Sequence, residues 1–369
     1  MSDEKPLNSE SVALLEVYQR IDDIDSRIQD LIAERTEASV QLAALKHAAQ
    51  PEAFNQAFEP HRDAQTLRKV AQRNTSQLSD KALQGVFREI MSASLVVDRP
   101  LQIAYLGPEG TYSHAAAQTY FGHSVSTLAE PGIADIFDVV ESGQASFGVV
   151  PVENSTEGAV NQTLDLLTNT TLRVCGEVGM RIQHCLLSKA TGLSDITEVH
   201  AHPQALAQCM HWLNANLPQA TRVSESSNAA AAKLAIERPH IAAIAGETAA
   251  QLYELDIKVK GIEDEKNNTT RFLVVGDYDI PPSGDDASLL LVSAPHKPGG
   301  LRSMLGPLEE AGVSMTRIES RPARSALWEY VFFINVRGHA QDAHLSRVLT
   351  QLRELTPLVK VLGSYPRAL

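Results

Sequence analysis

Two hydroxyls and a guanidinium stand together at Thr269, Thr270 and Arg271, heading the apolar run FLVVG. Such a run reads as a buried strand, where hydroxyls and a fixed charge have no packing use. Turn chemistry accounts for Asn267, Asn268 and one threonine, but it does not need an arginine at the mouth of the strand. Arg271 could instead clamp a carboxylate in two parallel hydrogen bonds, leaving a neighbouring hydroxyl to act on the bound molecule.

The same juxtaposition of apolar strand and small polar residues recurs upstream. GPEGTYS offers Thr111 and Ser113, ENSTEG offers Asn154, Ser155 and Thr156, and SESSNAA offers Ser226, Ser227 and Asn228. Each is either an ordinary helix cap or part of a crevice where helix N-termini present free N–H groups to an anion. His114, which directly follows the first of these, and His184 and His202 elsewhere in the chain carry two readings, structural or functional.

These residues need elements to hold them. From about residue 101 to 280, QIAYL, FGVVPV and their successors alternate with polar loops and helical patterns, which is α/β architecture with mainly parallel strands. Before it lies an all-α segment. A heptad counted from Leu14 runs through Val17, Ile21, Ile24, Ile28, Leu31, Arg35, Ala38, Leu42 and Leu45, broken only by Arg35. This first helix is expected to span about 35 residues. A second starts from Glu59 with Pro60 in its first turn. A third opens at Ser79 as N-cap and turns Leu83, Val86, Phe87, Ile90 and Leu95 towards a core. Three helices so unequal leave much of the long seam bare, so a dimer is expected. After the Pro/Gly/Asp-rich linker DYDIPPSGDDAS, the last segment reads β-α-β-β-α-β, the ferredoxin-like sandwich. The expected limits are 1–99, 100–282 and 283–369.

Length and composition agree with this division. At roughly 150 residues per domain, 369 residues suit two or three domains. A hydrophobic content of 43% and a charged content of 21% are ordinary for a folded chain. No apolar run approaches the roughly 18 residues of a membrane span, and MSDEKPLNSE is too polar for a signal peptide. The expected location is the cytoplasm, with no membrane partner. A net charge of −13 without a Lys/Arg block argues against nucleic acid. Cys175, Cys185 and Cys209 are odd in number and lack a CxxC spacing, so core packing is expected rather than disulfides or a thiolate metal site.

YLGPEGTYSHAA, VVPVENSTEGAV, HAHPQALAQC and NNTTRFLVVG resemble the motifs of prephenate dehydratase. The Gly299-Gly300-Leu301 turn and ESRP (Glu319, Ser320, Arg321, Pro322) resemble the phenylalanine-binding ACT domain. The helical N-terminus resembles the AroQ-type chorismate mutase fused to this enzyme in many bacteria. The resemblance covers nearly the whole chain. It implies a helical mutase domain, a two-lobed α/β dehydratase domain like a periplasmic binding protein, and an α+β regulatory domain.

By that resemblance prephenate loses its ring carboxylate and C4 hydroxyl to give phenylpyruvate, with Thr270 as the catalytic donor to the departing oxygen. Arg271 is matched to a substrate carboxylate, and Glu153, Asn154, Ser155, Thr156, Thr111 and Ser113 to prephenate binding. No metal or organic cofactor is implied. Arg35, Lys46, Glu59, Arg62, Asp63, Ser94 and Asp98 are matched to chorismate binding. This copy departs from the pattern where Tyr18 replaces an arginine, Asp63 a glutamate and Asp98 a glutamine or glutamate. If Asp98 donates to the ether oxygen it must be protonated, so mutase activity should favour acidic pH. Phenylalanine is the implied feedback inhibitor and a homodimer or homotetramer the implied assembly. Two alternatives stay open: a monofunctional dehydratase whose helices only dimerise the chain, and a non-catalytic small-molecule sensor.

Overall fold

The computed structural model describes residues 9–49, 58–97, 100–294, 297–322 and 330–368. The helical unit comprises α1 (Ser9–Ala49), α2 (Pro60–Gln72) and α3 (Asp80–Val96). Pro60 opens α2, where its missing N–H is not needed. Ser79 caps α3, its hydroxyl accepting from Ala82 N. At 41 residues α1 is longer than its seam suggested. Its first half is exposed along the seam among the described residues: Val17 is 56% exposed and Leu31 62%. Val86, expected in the core, is 53% exposed.

The middle unit has two lobes. The first holds β1 (Gln102–Leu106), α4 (Tyr112–Phe121), β2 (Ser126–Glu130), α5 (Ile133–Glu141), β3 (Phe147–Asn154), β4 (Gly158–Ala159), α6 (Asn161–Asn169) and β5 (Arg173–Arg181). The chain then crosses to a second lobe of β6 (Cys185–Ser188), β7 (Glu198–Ala201), α7 (Pro203–Gln208), α8 (Met210–Asn216), β8 (Thr221–Ser224), α9 (Asn228–Glu237), β9 (Ile241–Ala245), α10 (Glu247–Leu252) and β10 (Asp256–Lys260). It returns to finish the first lobe with β11 (Thr269–Gly276). The sheet orders are β2-β1-β3-β11-β5, with β4 on β3, and β10-β6-β9-β7-β8.

Parallel pairing, expected for most strands, is confined to β1 with β2 and β3, and to β7 with β8 and β9. β11 runs antiparallel to both neighbours because it re-enters from the second lobe, at the edge where β1 and β3 end. This reversal explains the polar head of an apolar strand. Its first residues, not its last, lie where the chain comes back from the second lobe.

The last unit is β12 (Asp286–Ser293), α11 (Gly300–Glu310), β13 (Met315–Pro322), β14 (Tyr330–Arg337), α12 (Ala343–Leu355) and β15 (Leu358–Pro366), with sheet order β13-β14-β12-β15. One face of its sheet carries the helices. The other shares a core with the back of the first lobe, where Leu289, Leu291, Phe333 and Tyr365 meet Val150, Val174, Leu273 and Val275. The three cysteines are free and buried.

Candidate active sites

The crevice site is built on one cross-strand pair. Asn154, last in β3, sits opposite Thr270 in β11. Asn154 Oδ1 accepts from the backbone N–H of Thr156 (2.9 Å) and Glu157 (3.1 Å), which fixes the amide. Its Nδ2 therefore faces the other way and donates to Thr270 Oγ1 at 2.8 Å and to Asn268 Oδ1 at 2.7 Å. An amide NH₂ cannot accept, so Thr270 keeps its own proton for another partner. Ser155 ties the two strand ends together, donating its N–H to Thr269 O (2.8 Å) and accepting Thr269 N–H on Oγ (2.9 Å). The Thr156 side chain is exposed.

Thr111 and Ser113 lie at the end of the same sheet where β1 runs out. Thr111 caps α4 and donates to Leu106 O at 3.0 Å, and Ser113 is buried in the first turn. His114 stacks on Tyr105 at 4.7 Å and accepts from Gly110 N–H. Burial lowers its pKa, so it holds the loop as a neutral ring. His202 caps α7. His184, lowered by burial, hydrogen-bonds both Tyr112 Oη and Gln208 Oε1 at 2.9 Å. Tyr112 thereby joins α4 of one lobe to the crossover into the other. Gln208, unremarked in the sequence, closes this hinge; its only signal was a polar side chain within HAHPQALAQC.

Arg271 and Glu153 require correction. Successive strand residues face opposite sides. Phe272 and Val274 join the cluster with Phe147 and Val149, whereas Leu273 and Val275 join the core shared with the last unit. Thr270 belongs to the first face and Arg271 to the second. The Arg271 guanidinium lies 3.3 Å from Glu177 and 3.7 Å from Glu153, and Glu153 also meets Arg317 of β13 at 2.5 Å. Both expected prephenate ligands are thus engaged behind the strand, away from the Thr270 hydroxyl.

A second site is a cavity of about 490 Å³ under the helical unit. Arg35, Lys46, Glu59, Arg62, Asp63 and Ser94 all line it. Arg35 donates to Ser94 Oγ at 2.8 Å, and Lys46 pairs with Glu59 at 2.5 Å. Arg35 thus breaks the heptad to face this cavity. Burial, only partly offset by Arg35, pushes Asp63 up to about 7. Arg88 and Lys81 line it too and were missed. Arg88 shares an i, i+3, i+4, i+7 stripe with Met91, Ser92 and Leu95, a signal the sequence did carry. Tyr18 lies on the exposed part of α1, and Asp98 falls outside the described residues.

In the last unit Gly299 takes φ +81 and starts α11, a left-handed turn that favours glycine. Gly300 is buried and Leu301 is 42% exposed. Ser320 and Arg321 share the sheet end of Val292 and Ser293, but β14 lies between them. Within one chain ESRP and the glycine turn are therefore separated by the width of β14. Glu319 is half-buried, and Ser320 and Pro322 are exposed. Arg321 is turned onto α6, donating to Asn161 and, at 2.7 Å, to Asp165. It is engaged between domains rather than open to a ligand.

Family models match in chain order: chorismate mutase type II over residues 17–99, prephenate dehydratase over 103–279 and the ACT domain over 288–354. A bifunctional chorismate mutase/prephenate dehydratase of Neisseria gonorrhoeae is 48% identical over 351 residues, 94% of this chain and 95% of that one. Its namesake in Stutzerimonas stutzeri is 46% identical over 362 residues, 98% and 99% of the two chains. The prephenate dehydratase of Arthrobacter aurescens in complex with L-Phe superimposes with a TM-score of 0.66 at 34% identity, covering 73% of this chain and 90% of that one.

Proposed function

The chain belongs to the bifunctional chorismate mutase/prephenate dehydratase family, and we propose that its helical unit rearranges chorismate while its interlobe crevice dehydrates the resulting prephenate. Phenylalanine regulates the enzyme through the ACT domain, in keeping with the L-Phe complex of the Arthrobacter protein. We take the three domains as 1–99, 100–282 and 283–369.

In the dehydratase step the ring–carboxylate bond supplies the electron pair as CO₂ leaves, the C4–O bond breaks, and the ring becomes aromatic. Hydroxide is a poor leaving group, so a donor aimed at that oxygen lowers the barrier. The observation that carries this reading is the polarity of the Asn154–Thr270 hydrogen bond: Thr270 accepts from Asn154 Nδ2, so its proton is directed outward. A threonine hydroxyl is too weak an acid to transfer its proton fully; it stabilises charge on the departing oxygen from a preorganised position. Thr111, Ser113, Ser155 and Thr156 are the substrate-binding groups of this crevice.

In the mutase step Arg35, Lys46 and Arg62, with Arg88 and Lys81 nearby, hold the chorismate dianion compactly. The exposed apolar stripe of α1 supports a homodimer or homotetramer, in which a second copy covers residues such as Ile24 and Ile28. No helix among the described residues is long and apolar enough to cross a membrane; we place the enzyme in the cytoplasm. The reading is tested by giving the purified chain chorismate and prephenate separately. Prephenate from the first and phenylpyruvate from both are expected; phenylpyruvate from prephenate alone would leave the helices as a dimerisation device.

A further inference from the structure

Behind the catalytic pair lies a polar layer that the reaction itself does not use. Glu153 precedes Asn154 in β3, and Arg271 follows Thr270 in β11; the two residues of each neighbouring pair face opposite sides of one sheet, in direct register across it. On the back face the layer contains two carboxylates, Glu153 and Glu177, and two guanidiniums, Arg271 and Arg317. Arg317 comes from β13 of the ACT domain. The buried Tyr365 of β15 completes the layer, its hydroxyl accepting from Asn335 Nδ2 at 2.9 Å and lying against Arg271.

Among the described residues the charges of this layer balance, which leaves no guanidinium over for a substrate. To reach prephenate, Arg271 would have to abandon both carboxylates and cross the sheet. Its Nε is buried without a hydrogen-bond partner, so the group is gripped by its terminal nitrogens alone. The ladder between β3 and β11 also breaks its register here: Arg271 pairs with Glu153, but Phe272 pairs with Pro151. The extra residue, Val152, is a bulge, the device by which strands re-aim side chains beside active sites. A bulged strand end held from behind can set where its last side chain points.

We infer that Arg271, Arg317 and Tyr365 are positioning residues for the dehydratase step, through which the ACT domain grips the back of the strand pair whose front carries Asn154 and Thr270. The inference rests on the assignment of dehydration to Thr270. It also gives β13 a double duty: the strand bearing Glu319 to Pro322 touches, through Arg317, the residue next to Asn154.

The test uses the full chain. Arg317→Met and Tyr365→Phe are assayed for kcat and KM with prephenate, and the mutase rate in the same preparations reports whether the protein is folded. Misplacement of the donor by a fraction of an ångström should lower dehydratase kcat roughly tenfold, with KM within about twofold and the mutase rate unchanged. Arg317→Lys should recover part of the loss. In a Thr270→Ala background neither substitution should lower turnover further. A rise in KM at unchanged kcat, an equal loss of mutase rate, or full additivity with Thr270→Ala would each overturn the inference. Wild-type turnover by Thr270→Ala alone would retire the assignment of Thr270 and this inference with it, and it is read from a different variant.

Discussion

At the scale of single residues, direction decides function more than identity. Asn154 is held by two backbone N–H groups, and this makes Thr270 an acceptor towards Asn154, leaving its own proton free for the donor role proposed above. Asn154→Asp keeps an oxygen for those N–H groups but replaces the NH₂ with an acceptor, so the Thr270 proton is drawn back to the carboxylate. The dehydratase kcat should fall by about 10², measured as phenylpyruvate formed, with a melting temperature near that of the parent. In the cavity under the helices, burial pushes Asp63 up to about 7, from its usual 3.8. It faces Arg35 of α1, Glu59 and Arg62 at α2, and Arg88 of α3. From pH 4 to 7 the folded chain keeps a proton that the unfolded chain has lost, so Asp63 favours folding less as pH rises, and above 7 it adds a negative charge beside a dianionic substrate. The mutase kcat/KM should therefore fall as pH rises through about 7, and Asp63→Asn should flatten that limb. This supplies, from a described residue, the acidic preference that the sequence attached to Asp98. Type and spacing singled out Thr270, Asn154 and Arg35 as polar residues out of place in apolar patterns, and the structure gives each a polar partner. The engagement of Arg271 and Arg321 was not legible, because strand parity relative to another domain is a tertiary property.

At the scale of elements, most of the pattern was readable. Ser79 capped its helix as expected, Pro60 opened α2, and the β-α-β-β-α-β order appeared as read. What local pattern cannot encode is the direction of a strand that returns from elsewhere, and β11 is that strand. Its return also brings the ACT sheet against β5. Gly363 of β15 approaches the backbone there so closely that an added Cβ would lie 2.1 Å from Val174 O. Backbone cannot rotate away as a side chain does. Gly363→Ala should separate the two sheets, destabilise the chain by about 1–3 kcal/mol in thermal or denaturant unfolding, and weaken the dehydratase more than the mutase.

At the scale of the whole molecule, three units share surfaces rather than hanging on linkers. Phe58, just ahead of α2, packs on Phe121 and Phe147 of the first lobe, and Arg68 of α2 donates to Ser283 and Asp285 in the linker before β12. The mutase cavity is walled partly by Glu177, a partner of Arg271, and by Pro366 and Arg367 at the chain end. Thr270 is nonetheless not among the residues lining this cavity, so the proposed dehydratase donor has no part in the proposed mutase step. Thr270→Val preserves shape and removes only the donor. Assayed with prephenate and chorismate on one preparation, it should lose about 10² to 10⁴ in dehydratase kcat while its mutase rate and melting temperature stay at the parent's; dehydratase turnover within about threefold of the parent would contradict the account, since an effect under roughly 1 kcal/mol cannot be the donor that releases the hydroxide.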